Sequence, residues 1–351
     1  MRTRKYTIIA FLIGVAMIVI GCRTRSGGSE IADRKALDRF ATLPEVVPAH
    51  GSPSSEELIS LGRMLYFEPR LSRSQTVSCN SCHPLARYGA DGQPTSTGYK
   101  GQHGNRNSPS VYNAAGQSIQ FWDGRAPDVE EQAKGPLLNP VEMAMPSAKA
   151  VVQVLKSMPE YVAAFHRAFP KDRNPLTFDH TTEAIGAFER KLLTPSRWDR
   201  FLHGDEMALT ADEKGGFNIF IDAGCSSCHE GALVGGTALQ RLGAAKPYPD
   251  NSDPGRYNVT KDEGDRMFFK VASLRNVAMT GPYFHNGRVA TLQEAVTQMA
   301  EYQLGKKLSD GEVEAIVTWL ESLTGELPAD YIKEPVLPKS TPRTPKPVTA
   351  G

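Results

Sequence analysis

Apolar residues recur at helical spacing along most of this chain, and no stretch sustains the alternation of a strand. Ser54 or Ser55 can cap a helix that runs through Tyr66 and stops before Pro69. Glu130–Lys134, Ala148–Ser157, Glu160–Phe169 and Asp179–Leu193 also carry helical composition. Three later helices are announced by a hydroxyl answered by Glu three residues on: Thr210 with Glu213, Thr291 with Glu294, and Ser309 with Glu312. Long Gly- and Pro-containing loops join these segments, so an all-α chain with long loops is expected. A weak repeat relates Gly62-Arg63-Met64-Leu65-Tyr66-Phe67 to Gly216-Phe217-Asn218-Ile219-Phe220. The Pro/Lys/Thr-rich end from Leu337 to Gly351 reads as disordered.

One apolar run differs from the rest. Arg2, Arg4 and Lys5 precede Ile8–Ile20, whose 13 residues suit a secretory h-region. A membrane-spanning helix needs about 20. The run ends Val19-Ile20-Gly21-Cys22, which resembles a bacterial lipoprotein cleavage site. Cys22 would then be the lipidated mature N-terminus, and the protein a membrane-tethered lipoprotein of the periplasm. A flexible polar linker follows.

The chain has 351 residues, which suggests two domains beyond the leader. A formal net charge of +1 argues against broad capture of nucleic acid. Five cysteines are too few for a disulfide framework. Four of them form two copies of one motif, Cys79-Asn80-Ser81-Cys82-His83 and Cys225-Ser226-Ser227-Cys228-His229. C-x-x-C-H is the attachment signature of c-type haem. Residues three apart share a helical face, so both thiols can bond the two vinyl groups while the adjacent His offers its imidazole to the iron. Chance placement of these residues predicts only about 0.001 copies, against the alternatives of a redox disulfide or half a zinc site. Two covalent haem c groups, each in a cytochrome c-like domain, are expected. The domains would meet near residues 190–200.

A second axial ligand separates electron transfer from catalysis. For the second haem, Met299 lies 70 residues after His229, with Leu292, Ala295 and Val296 on the same helical face. That pattern equally describes core filler. His285 is the other candidate, and the residues alone do not choose.

The marks Phe121-Trp122-Asp123-Gly124-Arg125-Ala126, Glu131-Gln132-Ala133-Lys134-Gly135-Pro136, Val141-Glu142-Met143 and Gly281-Pro282-Tyr283-Phe284-His285-Asn286-Gly287 surround the two haem motifs. With Met299 before Gln303-Leu304-Gly305, the set resembles the bacterial diheme cytochrome c peroxidases, the family that also holds the MauG-like enzymes. The chain then divides into a leader over 1–21, a linker over 22–42, domains over 43–192 and 193–336 and a tail over 337–351. The resemblance, which runs from about Leu43 to Pro328, implies that the first domain is peroxidatic and of low potential and the second transfers electrons. It implies His229 and Met299 on the high-potential iron, His83 on the peroxidatic iron, and Trp122 between the haems. Glu142 would shuttle the proton, with Gln132 and Phe121 completing the pocket. Asn107, Thr280 and Pro282 match the positions that hold a calcium ion between the domains. Hydrogen peroxide and a small cytochrome c or cupredoxin are the implied partners, and a homodimer stays open.

One position departs from the family. Its labile distal His is replaced by Tyr99, and His103 lies four residues later in a Gly-flanked loop. The peroxidatic iron would be open, or ligated by His103, or by Tyr99. The leading expectation is peroxide reduction. A MauG-like oxidase, favoured by Tyr99 but not by Met299, and a purely electron-transferring diheme cytochrome are the alternatives.

Overall fold

The computed structural model describes residues 30–49 and 54–348, so the leader and Cys22 lie outside the described residues. The helices are α1 (Glu56–Tyr66), α2 (Cys79–Cys82), α3 (Val129–Leu138), α4 (Ala148–Lys156), α5 (Pro159–Ala168) and α6 (Phe178–Glu189). They continue as α7 (Arg197–Leu202), α8 (Ala211–Ala223), α9 (Tyr257–Thr260), α10 (Leu292–Gln298) and α11 (Asp310–Glu321). The expectation of an all-α chain is corrected by a small antiparallel ribbon, β1 (Leu239–Arg241) on β2 (Phe268–Lys270), with Leu239 opposite Lys270. Strands of three residues are too short to leave a period in the sequence.

Ser55 caps α1 by accepting from the Leu58 amide at 3.2 Å. Reciprocal capping boxes start α8 at Thr210 and α11 at Ser309. At α10 only Thr291 Oγ1 caps, accepting from the Glu294 amide. Pro136 is accommodated inside α3, which carries the helix beyond the expected Lys134.

Two hydrophobic cores organise these elements. The first gathers α1 and α3–α6 around Tyr66, Tyr161, Phe165 and Phe188. The second gathers α7, α8, α10 and α11 around Trp198, Phe217, Trp319 and Phe40. The weak repeat has a physical cause. A Cβ at Gly62 would strike the carbonyl oxygen of Ala184, and one at Gly216 that of Ala315, so each glycine is where α1 crosses α6 and α8 crosses α11. Gly216→Val is therefore expected to destabilise the second core by about 3 kcal/mol or more, beyond ordinary overpacking, because backbone rather than side chain must move. A fall in thermal midpoint read by circular dichroism checks this, and an unchanged midpoint would refute the crossing argument.

The expected linear division fails at both ends. Residues within 22–42 are not merely a linker, for Ile31, Ala36 and Phe40 pack into the second core, with Phe40 edge-on to Trp198 at 5.5 Å. The end of the chain returns to the first core through Leu327, Tyr331, Ile332 and Leu337. Nor is the tail disordered through residue 348. Arg70 donates to the Pro338 carbonyl at 2.7 Å, Gln75 to that of Pro345 at 2.7 Å, and the Val348 amide to Arg73 at 2.9 Å. Proline-rich chain satisfies its backbone here by docking on neighbours, which composition does not reveal.

A candidate two-haem site

Each C-x-x-C-H motif lies where a helix ends against a cavity. Cys79 and Cys82 sit three apart on α2, and the His83 amide bonds the Cys79 carbonyl at 2.9 Å. The second motif follows Gly224, whose φ of 90° stops α8 and starts a 3-10 turn over Cys225–Ser227. The His229 amide then reaches the Cys225 carbonyl at 3.1 Å.

The imidazoles are oriented by backbone. His83 Nδ1 stands 3.3 Å from the Gly89 carbonyl, and His229 Nδ1 3.4 Å from that of Val234. A carbonyl only accepts, so Nδ1 carries the proton and Nε2 is left as the ligating nitrogen. Burial lowers the pKa of both rings, that of His229 to about 4, which keeps them neutral as iron ligation needs. All four described cysteines are free thiols. Among the described residues no three His, Cys, Asp or Glu side chains gather as an ion site. Paired thiols with a free imidazole nitrogen on a cavity wall are the donor set of haem c.

The two cavities differ in their other walls. The first, about 1120 Å³, brings together Cys79, Cys82 and His83 with Phe121, Gln132, Glu142 and His103. The second, about 260 Å³, brings together Cys225, Cys228 and His229 with Met299 and His285. Trp122 lines both.

In the first cavity Glu142 is half-buried, and Asn139 Nδ2 donates to its Oε1 at 2.7 Å. Burial raises the Glu142 pKa, while Arg125 and the Asn139 bond pull it back. Arg125 is held over the Phe121 ring, 3.4 Å from its centroid, and pairs with Asp123 at 2.9 Å. Arg106 links Asp123, at 2.6 Å, to Asp253, also at 2.6 Å, which rivets the Phe121–Arg125 loop to the second half of the chain. Trp122 is fixed on both sides: its Nε1 donates to the Asn107 carbonyl at 2.9 Å, and its carbonyl accepts from the Lys270 amide at 2.7 Å. Glu189 also lines this cavity; burial and then the Glu130 carboxylate push its pKa up to about 8.

The two residues of the departing loop are placed differently, and Tyr99 is not among the residues that line the cavity. It is buried, its amide donates to the Glu142 carbonyl at 2.7 Å, and its hydroxyl donates to the Val348 carbonyl of the tail. A Cβ at Gly98 would collide with the Val141 carbonyl, so this close docking of the loop needs glycine, and it turns the next side chain outward. His103 does line the cavity, with Nδ1 3.2 Å from the Thr95 carbonyl and the ring exposed.

In the second cavity Met299 closes α10 and opens a π turn over Met299–Gln303. Such turns widen a helix and occur at functional sites. His285 belongs to a different wall, stacked on Phe269 at 4.2 Å and edge-on to Trp122 at 6.5 Å. Asn107, Thr280 and Pro282 share this second cavity's lining, and because Asn107 Nδ2 donates to the Gln93 carbonyl, its Oδ1 remains free to ligate.

Sequence reasoning missed Asn139, Glu189, Gln117 and Lys270, all of which line the first cavity. Arg125 stood inside a quoted motif without a role. For the others no local signal existed, since each is brought in by tertiary contact.

A family model described as di-haem cytochrome c peroxidase matches residues 56–207. The chain is 46% identical to the cytochrome c551 peroxidase of Pseudomonas aeruginosa, over 96% of this chain and 98% of that protein. It is equally, 46%, identical to the cytochrome c551 peroxidase of Nitrosomonas europaea, over 84% of this chain and 87% of that protein. The methylamine utilization protein MauG of Paracoccus denitrificans is 33% identical over 86% of this chain and 97% of its own length. Among solved structures, a MauG-like protein associated with microbial copper homeostasis superposes with a TM-score of 0.73 at 28% identity, covering 84% of this chain and 98% of that one.

Proposed function

This chain belongs to the di-haem cytochrome c peroxidase family, and from that membership we propose how its residues reduce hydrogen peroxide to water with electrons from a small cytochrome c or cupredoxin. The observation that carries the assignment is the asymmetry of the two cavities. One presents Glu142 and Gln132 beside His83, and the other presents Met299 beside His229. When bound, covalent haem c supplies the electron storage and the iron on which peroxide is reduced.

The protein's part is binding, orientation and proton movement. Cys79 and Cys82 would hold one haem and Cys225 and Cys228 the other, with His83 and His229 offering their imidazoles to the iron. Met299 would complete the second site, where a thioether favours the ferrous state and so suits a haem that accepts electrons. Glu142 takes the proton from one peroxide oxygen and returns it to the leaving oxygen. Burial raises the pKa of this carboxyl above its ordinary value, which favours a group that both takes and returns a proton. Gln132 offers an amide to the same oxygens, Phe121 shapes the pocket, and Trp122 provides polarizable contact between the cavities. Asn107 Oδ1 with the Thr280 and Pro282 carbonyls would hold calcium, a hard cation that takes oxygen ligands. Export and tethering through Cys22 complete the reading, for c-type haem is attached outside the cytoplasm. Among the described residues no helix is long and apolar enough to cross a membrane.

Steady-state oxidation of reduced cytochrome c by peroxide tests the proposal. Turnover is expected, together with a high-spin resting signal from the first haem, because Tyr99 does not line that cavity and His103, though on its rim, is exposed with Nδ1 held at the Thr95 carbonyl. Two six-coordinate haems without turnover would instead favour the electron-transfer cytochrome.

A further inference from the structure

A lone cation is buried in the wall that separates the two cavities. Lys270 ends β2, is 6% exposed, and lines both cavities together with Gln117 and Trp122. Its backbone is fixed, because its amide donates to the Trp122 carbonyl and its residue pairs with Leu239 across the ribbon. Its ammonium donates to Gln117 Oε1, a neutral amide. An ammonium has three donors, so two remain for another acceptor. Among the described residues no carboxylate acts on it, and burial alone pulls its pKa down to about 8. A buried charge without a counter-charge is costly, and proteins pair such groups. The neighbouring pair Arg275 and Asp199, bonded at 2.5 Å, shows the ordinary solution in this same chain. Lys270 lacks it.

The two remaining donors therefore suit an anionic acceptor, and haem c brings one, since each macrocycle carries two propionate carboxylates. We propose that Lys270, steadied by Gln117, receives a haem propionate between the two cavities and holds that haem's potential up. The inference rests on the two-haem reading above. Positive charge beside a haem stabilises the reduced, more negative form. At an effective dielectric near 20, removing a unit charge about 12 Å from a redox centre changes such an equilibrium by about tenfold, which for one electron is a fall of about 59 mV.

Spectroelectrochemical titration of the holoenzyme and its Lys270→Met and Lys270→Arg variants tests this, with haem content measured alongside. The expected result is a fall of that size for one haem in Lys270→Met and a near wild-type value in Lys270→Arg. The haem that shifts identifies whose propionate is held. Haem loss confined to Lys270→Met also supports the seat, because the retained charge of Arg rescues it. Unchanged potentials in a Lys270→Met protein holding both haems would overturn the inference and leave the two-haem reading intact. Loss of haem from both variants would assign Lys270 to packing and overturn it as well. A wild type that does not hold two haems would overturn the parent reading and this one together.

Discussion

Glu142→Gln lowers peroxide turnover by about 10²–10⁴, the usual contribution of a positioned general acid or base, while haem content and both potentials stay near wild type. Gln keeps the shape of the side chain and its bond with Asn139, but has no proton to exchange. The geometry makes this a clean substitution: Glu142 is half-buried on the first cavity wall, bonded to Asn139 Nδ2, and contributes its backbone carbonyl to the Tyr99 loop. Burial raises the carboxyl's pKa above its ordinary value, with Arg125 and Asn139 opposing. The sign follows. The wild-type pH profile of kcat/KM should carry a limb above the usual carboxylate range, and Glu142→Gln should lack that limb. Retained turnover in Glu142→Gln would remove the acid–base assignment, and an unaltered pH profile would place the titrating group elsewhere.

Met299→His lowers the potential of the second haem by tenths of a volt, within the ~0.8 V that axial ligands span. A drop of about 0.2 V disfavours reduction by about 10³, since each tenfold step is 59 mV for one electron. Turnover driven by a reduced cytochrome should therefore collapse, while turnover driven by a strong low-potential reductant should persist. The reason lies in the ligand: a thioether stabilises ferrous iron and an imidazole does so less. An unchanged potential would mean that Met299 only fills the core, the role its spacing beside Leu292, Ala295 and Val296 equally allows. The π turn that begins at Met299 argues against filler, because it interrupts a helix that packing alone would let continue.

These two residues show how unevenly the site could be read from the chain. Glu142 and Met299 were legible only because a resemblance singled them out, since a lone Glu in a loop and a Met on an apolar face have commoner explanations. The placement of Tyr99 was not legible at all. It turns on Gly98 meeting the Val141 carbonyl and on the tail reaching Tyr99 from residue 348, two long-range contacts. The tail itself was misread, because a Pro/Lys/Thr composition describes its solvation and not the Arg70, Arg73 and Gln75 groups that tie it down.

What the sequence determined by itself was local and chemical. Two C-x-x-C-H motifs place paired thiols and an imidazole within one turn, and that spacing survives whatever the rest of the chain does. Helix starts at Thr210 and Ser309 were equally determined, and the first start to within Ser54 or Ser55, because a cap involves atoms only three residues apart. Only the tertiary structure decided which side chains share a cavity, that Phe40 belongs to the second core, and that Lys270, between the two cavities, meets no carboxylate among the described residues. Those facts depend on residues far apart in the chain meeting through packing, and burial, which sets their pKa values and their need for partners, exists only once the chain has folded.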